Sequence, residues 1–169
     1  MTLSSKRRPI ICILTLAFSA GLIQLVYAGE SIWSLSYDGP KWESNFDKAL
    51  ERAASENKPI LAFFSGSDWC PPCKKADAKI FSEPQFQAYA EQNVVLMNVD
   101  FPKASRQTRE LEDQNEALVD RYAVKGFPTV VLIDSANGQA LSKFGACGFM
   151  GLICSQDRII KKIKATSDK

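Results

Sequence analysis

The chain has 169 residues, with an apolar and charged content that suits one globular domain with a real core and leaves little room for two. Its net charge of +2 owes three cations to the first 28 residues; beyond them 18 basic side chains face 19 acidic ones, so no basic field for nucleic acid or an anionic membrane exists. There is no histidine, which excludes imidazole-based triads and His-containing zinc sites and leaves cysteine to carry whatever catalysis the chain performs.

Lys6, Arg7 and Arg8 precede an apolar run from Ile10 to Ala20 that continues through Leu22 to Tyr27. Val26, Tyr27 and Ala28 then form a small-residue cleavage site before Gly29. Residues 1–28 read as a secretory signal peptide, with a mature domain of 29–169. An uncleaved membrane anchor is the competing reading, because the run approaches spanning length, although Gly21 and Gln24 interrupt it. Both readings make the domain exported, periplasmic if bacterial. Cys12 belongs to the leader, which leaves Cys70, Cys73, Cys147 and Cys154.

Alternation over Ile32–Tyr37 predicts a short edge strand. Trp42, Phe46, Ala49, Leu50 and Ala53 recur at helical spacing until Asn57-Lys58-Pro59 ends the helix. The unbroken apolar run 59–64 predicts a strand buried on both faces. From Cys73 the pattern is helical to Phe81, and Pro84 opens a further helical piece to residue 92, so a kinked or two-part helix is expected. Residues 94–100 form a second buried strand, and 103–122 a helix with Leu111, Leu118, Val119 and Tyr122 on one side. Thr129–Ile133 is a third strand, Asn137-Gly138 a hairpin turn and Gln139–Phe144 its partner. A last helix carries Ile159, Ile160 and Ile163. The order β, α, β, α, β, α, β, β, α is an α/β arrangement ending in an antiparallel hairpin.

Within SGSDWCPPCKK, residues 65–75, the pair Cys70–Cys73 sits directly after a buried strand and opens a helix. A sulfur at a helix start faces unpaired amides and the positive end of the dipole, which favour thiolate and make Cys70 the nucleophile. Cys73, one turn on, is placed to attack the mixed disulfide that results. Trp69 is read as an apolar platform beside that sulfur, Lys74 and Lys75 as ordinary first-turn lysines. Pro71 and Pro72 offer no N–H, so Cys70 depends on the Cys73 amide and the dipole, and its pKa is expected nearer roughly 7 than the roughly 3.5 of strong oxidants.

TrpCysProProCysLys, preceded by PheSerGlySerAsp and followed by TyrAlaValLysGlyPheProThr at 122–129, resembles the thioredoxin superfamily from about Trp42 to the end. The resemblance implies a thioredoxin-like fold, a central mixed sheet flanked by helices. It also implies that Pro128 is a cis-proline facing the cysteines, that Phe127 is a substrate contact, and that extended client chain pairs with backbone there. Three departures stand out. Phe64 and Leu96 occupy the places where that family keeps a buried acid and its lysine partner, so the group that handles the Cys73 proton is unassigned. Segment 103–122 is longer, as in exported thioredoxin-like proteins and the thioredoxin-like domains of bacterial disulfide-reducing systems. Cys147 and Cys154 lie in an insertion before the last helix, where a second local disulfide and two free apolar-packed thiols both fit.

These features point to an exported thiol-disulfide oxidoreductase, a protein disulfide reductase first and an oxidase or isomerase second. No cofactor is called for beyond the Cys70–Cys73 disulfide. Expected partners are disulfide-bearing exported proteins and a membrane thiol-disulfide electron donor; a monomer is expected. The alternatives from other classes are a zinc module joining Cys70 and Cys73 to Cys147 and Cys154, and a non-catalytic interaction domain.

Overall fold

The computed structural model describes residues 39–145 and 155–167. The leader, the Ile32–Tyr37 segment and the insertion bearing Cys147 and Cys154 lie outside them. In chain order the elements are β1 Trp42–Glu43, α1 Phe46–Glu56, β2 Ile60–Ser65, α2 Pro71–Ala76 running into a π-turn at Asp77–Phe81, α3 Pro84–Asn93, β3 Val95–Asp100, α4 Arg109–Arg121, β4 Thr129–Ile133, β5 Ala140–Gly145 and α5 Gln156–Ser167.

The strands form one mixed sheet in the order β1-β3-β2-β4-β5. β3 runs parallel to β1 and β2, while β4 is antiparallel to β2 and to β5. Every residue of β2 is buried, which is why its sequence lacks the polar alternation of a half-exposed strand. The two-residue period sends its side chains to opposite layers. Leu61 and Phe63 join Ile80, Phe81, Phe86, Leu96, Leu132, Ile159 and Ile163 on the face covered by α2, α3 and α5. Ile60, Ala62 and Phe64 join Phe46, Ala49, Leu118 and Tyr122 under α1 and α4. The cysteines belong to the first layer.

Two expectations are corrected at the elements' starts. Trp42 is not helical: Asn45 caps α1, its side chain accepting from Lys48 N–H, so the helix cannot begin before Phe46. Trp42 instead pairs with Leu96 in β1, and its ring packs edge-on against Phe81 at 5.5 Å. α4 likewise begins at Arg109, not near residue 103, because Thr108 caps it and the backbone of 103–104 is bound elsewhere. The two-part helix is present, with the π-turn and a break at Ser82–Glu83 ahead of Pro84. At the β4–β5 turn Gly138 takes φ of +66°, as the Asn-Gly pair anticipates, and its carbonyl accepts from the buried Tyr122 hydroxyl at 2.9 Å. Burial raises the Tyr122 phenol above its ordinary pKa, so it stays a donor there.

Candidate active site

Cys70 ends the loop after β2 and is the N-cap of α2, its φ and ψ of −99° and 99° extended rather than helical. It is disulfide-bonded to Cys73, with Cα atoms 5.2 Å apart. The Cys73 N–H donates to Cys70 Sγ at 3.3 Å, and the Cys73 and Lys74 amides donate to the Cys70 carbonyl. Pro71 and Pro72 fill the two intervening positions without a donor. The oxidised sulfur here stands where the thiolate of the reduced form would be, so a single backbone donor addresses it. Exposure does not rank the two cysteines, which are 4% and 2% accessible. Their places on the helix distinguish them instead.

The loop ahead of Cys70 is fixed by two carboxylates. Asp100, at the end of β3, accepts from Ser67 N–H at 2.8 Å, Ser67 Oγ at 2.6 Å and Ser65 Oγ at 3.1 Å. Asp68 accepts from the amides of Lys103 and Ala104, and those bonds, Ala104's first, hold its carboxyl below the usual range. Asp68 thus tethers two loops to each other.

Trp69 lies on the surface at 40% exposure. Its indole covers Gly66, where any Cβ would overlap the ring, and Nε1 donates to the Phe101 carbonyl at 2.6 Å. The Trp69 and Phe127 rings are 6.1 Å apart, Phe127 stacks on Phe101 at 5.1 Å, and Lys103 Nζ sits 4.2 Å over the indole. Phe127 also packs against the layer that holds Cys70 and Cys73. The Phe127–Pro128 peptide is cis, and Pro128 is buried at the start of β4. Trp69, Phe127 and the cysteines are thus brought together. Residues 46–149 match the family described as a thioredoxin-like domain.

The chain belongs to that family. This thioredoxin-like chain has Dsb-type relatives. It is 39% identical over 105 residues to the disulfide bond reductase DsbH of Chlamydia pneumoniae, the match covering 62% of either chain. It is 34% identical over 91 residues to the thiol:disulfide interchange protein DsbD of Haemophilus influenzae, covering 53% of this chain and 14% of that one. A solved structure named DsbH Oxidoreductase superposes with a TM-score of 0.68 at 30% identity, over 80% of this chain and 89% of the other. The chain therefore spans less than two thirds of the length of these two curated relatives.

In this thioredoxin-like chain the place six residues before Cys70 does not face the cysteines. Phe64 points to the opposite layer, its ring 6.5 Å from Tyr122. Leu96 is on the cysteine side, as an apolar core residue. The groups that do line the space next to Cys73 are Phe63, Ser65 and Ser67 from β2 and its loop, Asn98 from β3, Trp42 from β1, and Lys74 and Asp77 from the helix. Sequence reasoning passed over Ser65, Asn98, Asp77 and Asp100. The signal for the first was available, since residues 63 and 65 share one face by strand alternation.

Proposed function

We propose that the chain is an exported thiol-disulfide oxidoreductase that reduces disulfides in other exported proteins. The Cys70 thiolate attacks one sulfur of a client disulfide, forming a mixed disulfide and releasing the first client thiolate. Cys73, giving up its proton, then attacks Cys70 Sγ, releasing the second client thiolate and leaving the Cys70–Cys73 bond. Two electrons pass to the client, and a thiol-disulfide donor at the membrane returns them. Trp69, Phe127 and Pro128 form the surface on which the client segment lies.

The observation that carries the direction is the donor count at Cys70. One backbone N–H reaches its sulfur, at 3.3 Å, and the prolines withhold the others. A strong oxidant needs a thiolate held by several donors, because that is what stabilises its reduced form. The relative named a disulfide bond reductase supports the same direction. Among the described residues no helix is long and apolar enough to cross a membrane.

Equilibration of the Cys70–Cys73 pair against glutathione tests the reading. A potential near thioredoxin's about −270 mV is expected, and one near the about −120 mV of strong oxidants would overturn it.

A further inference from the structure

The cysteines have a second side, away from the Trp69–Phe127 surface. A cleft of about 270 Å³ opens there, lined by Cys73, Asp77, Lys74, Ser65, Asn98 and Trp42 among others. Its volume suits several water molecules at roughly 30 Å³ each, and its lining offers them polar partners. Asp77 lies one helical turn beyond Cys73, on the same side of the helix, with its Cβ about 5–6 Å away by helix geometry. The chain widens into its π-turn at this residue, Ser82 N–H donating to the Asp77 carbonyl at 2.9 Å. Single π-turns within α-helices are often found at functional sites.

We propose that Asp77 accepts the Cys73 proton, through water held in this cleft, as Cys73 attacks the mixed disulfide. The inference rests on the dithiol mechanism above and supplies the group which that mechanism lacks. The Cys73 S–H bond breaks, its proton passes by way of water to the Asp77 carboxylate, and the sulfur's electron pair forms the bond to Cys70 Sγ. The client thiolate leaves with the electrons of the broken bond. When the client thiolate or bulk water later takes up a proton, Asp77 returns to its charged form.

Two other acids are near and both are committed. Asp100 stands behind Ser65 and accepts three hydrogen bonds, from Ser65 Oγ and from Ser67 N–H and Oγ. Asp68 holds the amides of 103 and 104. The Asp77 carboxylate has no hydrogen-bond or ion-pair partner among the described residues, so it is available. Lys74, the cleft's other charged group, is a cation and cannot accept.

Stopped-flow reaction of the reduced protein with dithiobis(nitrobenzoate) separates the steps. The first nitrothiobenzoate release reports attack by Cys70, the second reports resolution by Cys73, and a Cys73→Ala variant, lacking the second, assigns them. Asp77→Asn is expected to leave the first phase and the urea midpoint unchanged and to slow the second by about tenfold or more. That is less than the roughly 10²–10⁴ of general acid–base catalysis, since bulk water remains an alternative acceptor. Asp77→Glu should restore most of the rate. A purely electrostatic role has the opposite sign, because removing a negative charge favours the Cys73 thiolate and speeds resolution. An unchanged or faster second phase in Asp77→Asn overturns the assignment while leaving the dithiol mechanism intact. Absence of a second phase in the unsubstituted protein removes both.

Discussion

Replacing Pro72 with alanine restores one N–H at the second residue of α2, and the consequence can be worked out from the cap geometry. An N-cap acceptor takes its bond from the N–H of the second or third helical residue. Here the third, Cys73, already donates to Cys70 Sγ at 3.3 Å, and the second is proline. A restored donor of this kind contributes about 1 kcal/mol to the charged form of the sulfur, which multiplies the thiolate-to-thiol ratio about fivefold. Alkylation of Cys70 by iodoacetamide, followed against pH, should therefore show its midpoint at lower pH in Pro72→Ala. Stabilising the thiolate stabilises the reduced protein, so the potential should rise by up to about 20 mV, at 30 mV for each 1.4 kcal/mol. Pro71→Ala is the control, because the first helical N–H is not the one that a cap accepts. If Pro72→Ala leaves the midpoint in place, or if both variants move it equally, donor count does not govern this thiolate and the argued direction of electron flow loses its basis.

Further outcomes follow from the supporting contacts. Gly66→Ala puts a methyl group where the Trp69 indole lies, within 2.6 Å of Nε1, so the ring must leave and its bond to the Phe101 carbonyl must break. A loss of about 1–3 kcal/mol in urea unfolding is expected, and an unshifted midpoint would show that the loop adapts freely. Asp68 is held below its ordinary pKa by the amides of Ala104 and Lys103, so its charge stabilises the fold at neutral pH and ceases to as pH falls through the depressed value. Asp68→Asn should accordingly be less stable than the parent at neutral pH and converge with it in acid; thermal melts across that range that stay parallel would contradict this. Phe81 is 2% exposed and packs against Phe63 at 4.5 Å, Phe86 at 5.3 Å and Trp42, in the same layer as the cysteines. Phe81→Ala should cost about 3–5 kcal/mol by denaturant titration, and a loss below about 1 kcal/mol would mean that the layer closes over the gap.

Much of the fold was legible because single physical signals dominated it. The 59–64 run lacks polar alternation, and a strand covered on both faces is the structure that makes such a run stable. The spacing of Ile159 and Ile163 places both on the core side of α5, where they are 2% and 0% exposed. Boundaries were less legible where a cap competes with an apolar period. Trp42 fits the helical period of Phe46 and Ala49, yet the Asn45 side chain satisfies an amide that a longer helix would have used, and Trp42 gains more by pairing with Leu96. The start of α4 was missed for the same kind of reason, since Asp68 binds the backbone of 103–104 from 35 residues away and no local pattern encodes that.

The site illustrates how counting along a chain and counting across a strand give different answers. Counting six residues back from Cys70 reaches Phe64, and the apolar side chain there reads as a lost acid. Counting faces reaches Ser65, because β2 sends Phe63 and Ser65 toward Cys73, with Ser67 joining them from the following loop, while Phe64 is directed to Tyr122 on the far layer. An acid at position 64 would thus not have met Cys73 in this backbone, and a carboxylate near that sulfur must come from another element. The helix that carries the cysteine supplies it: a residue four beyond Cys73 projects from the same side one turn away, and that residue is Asp77.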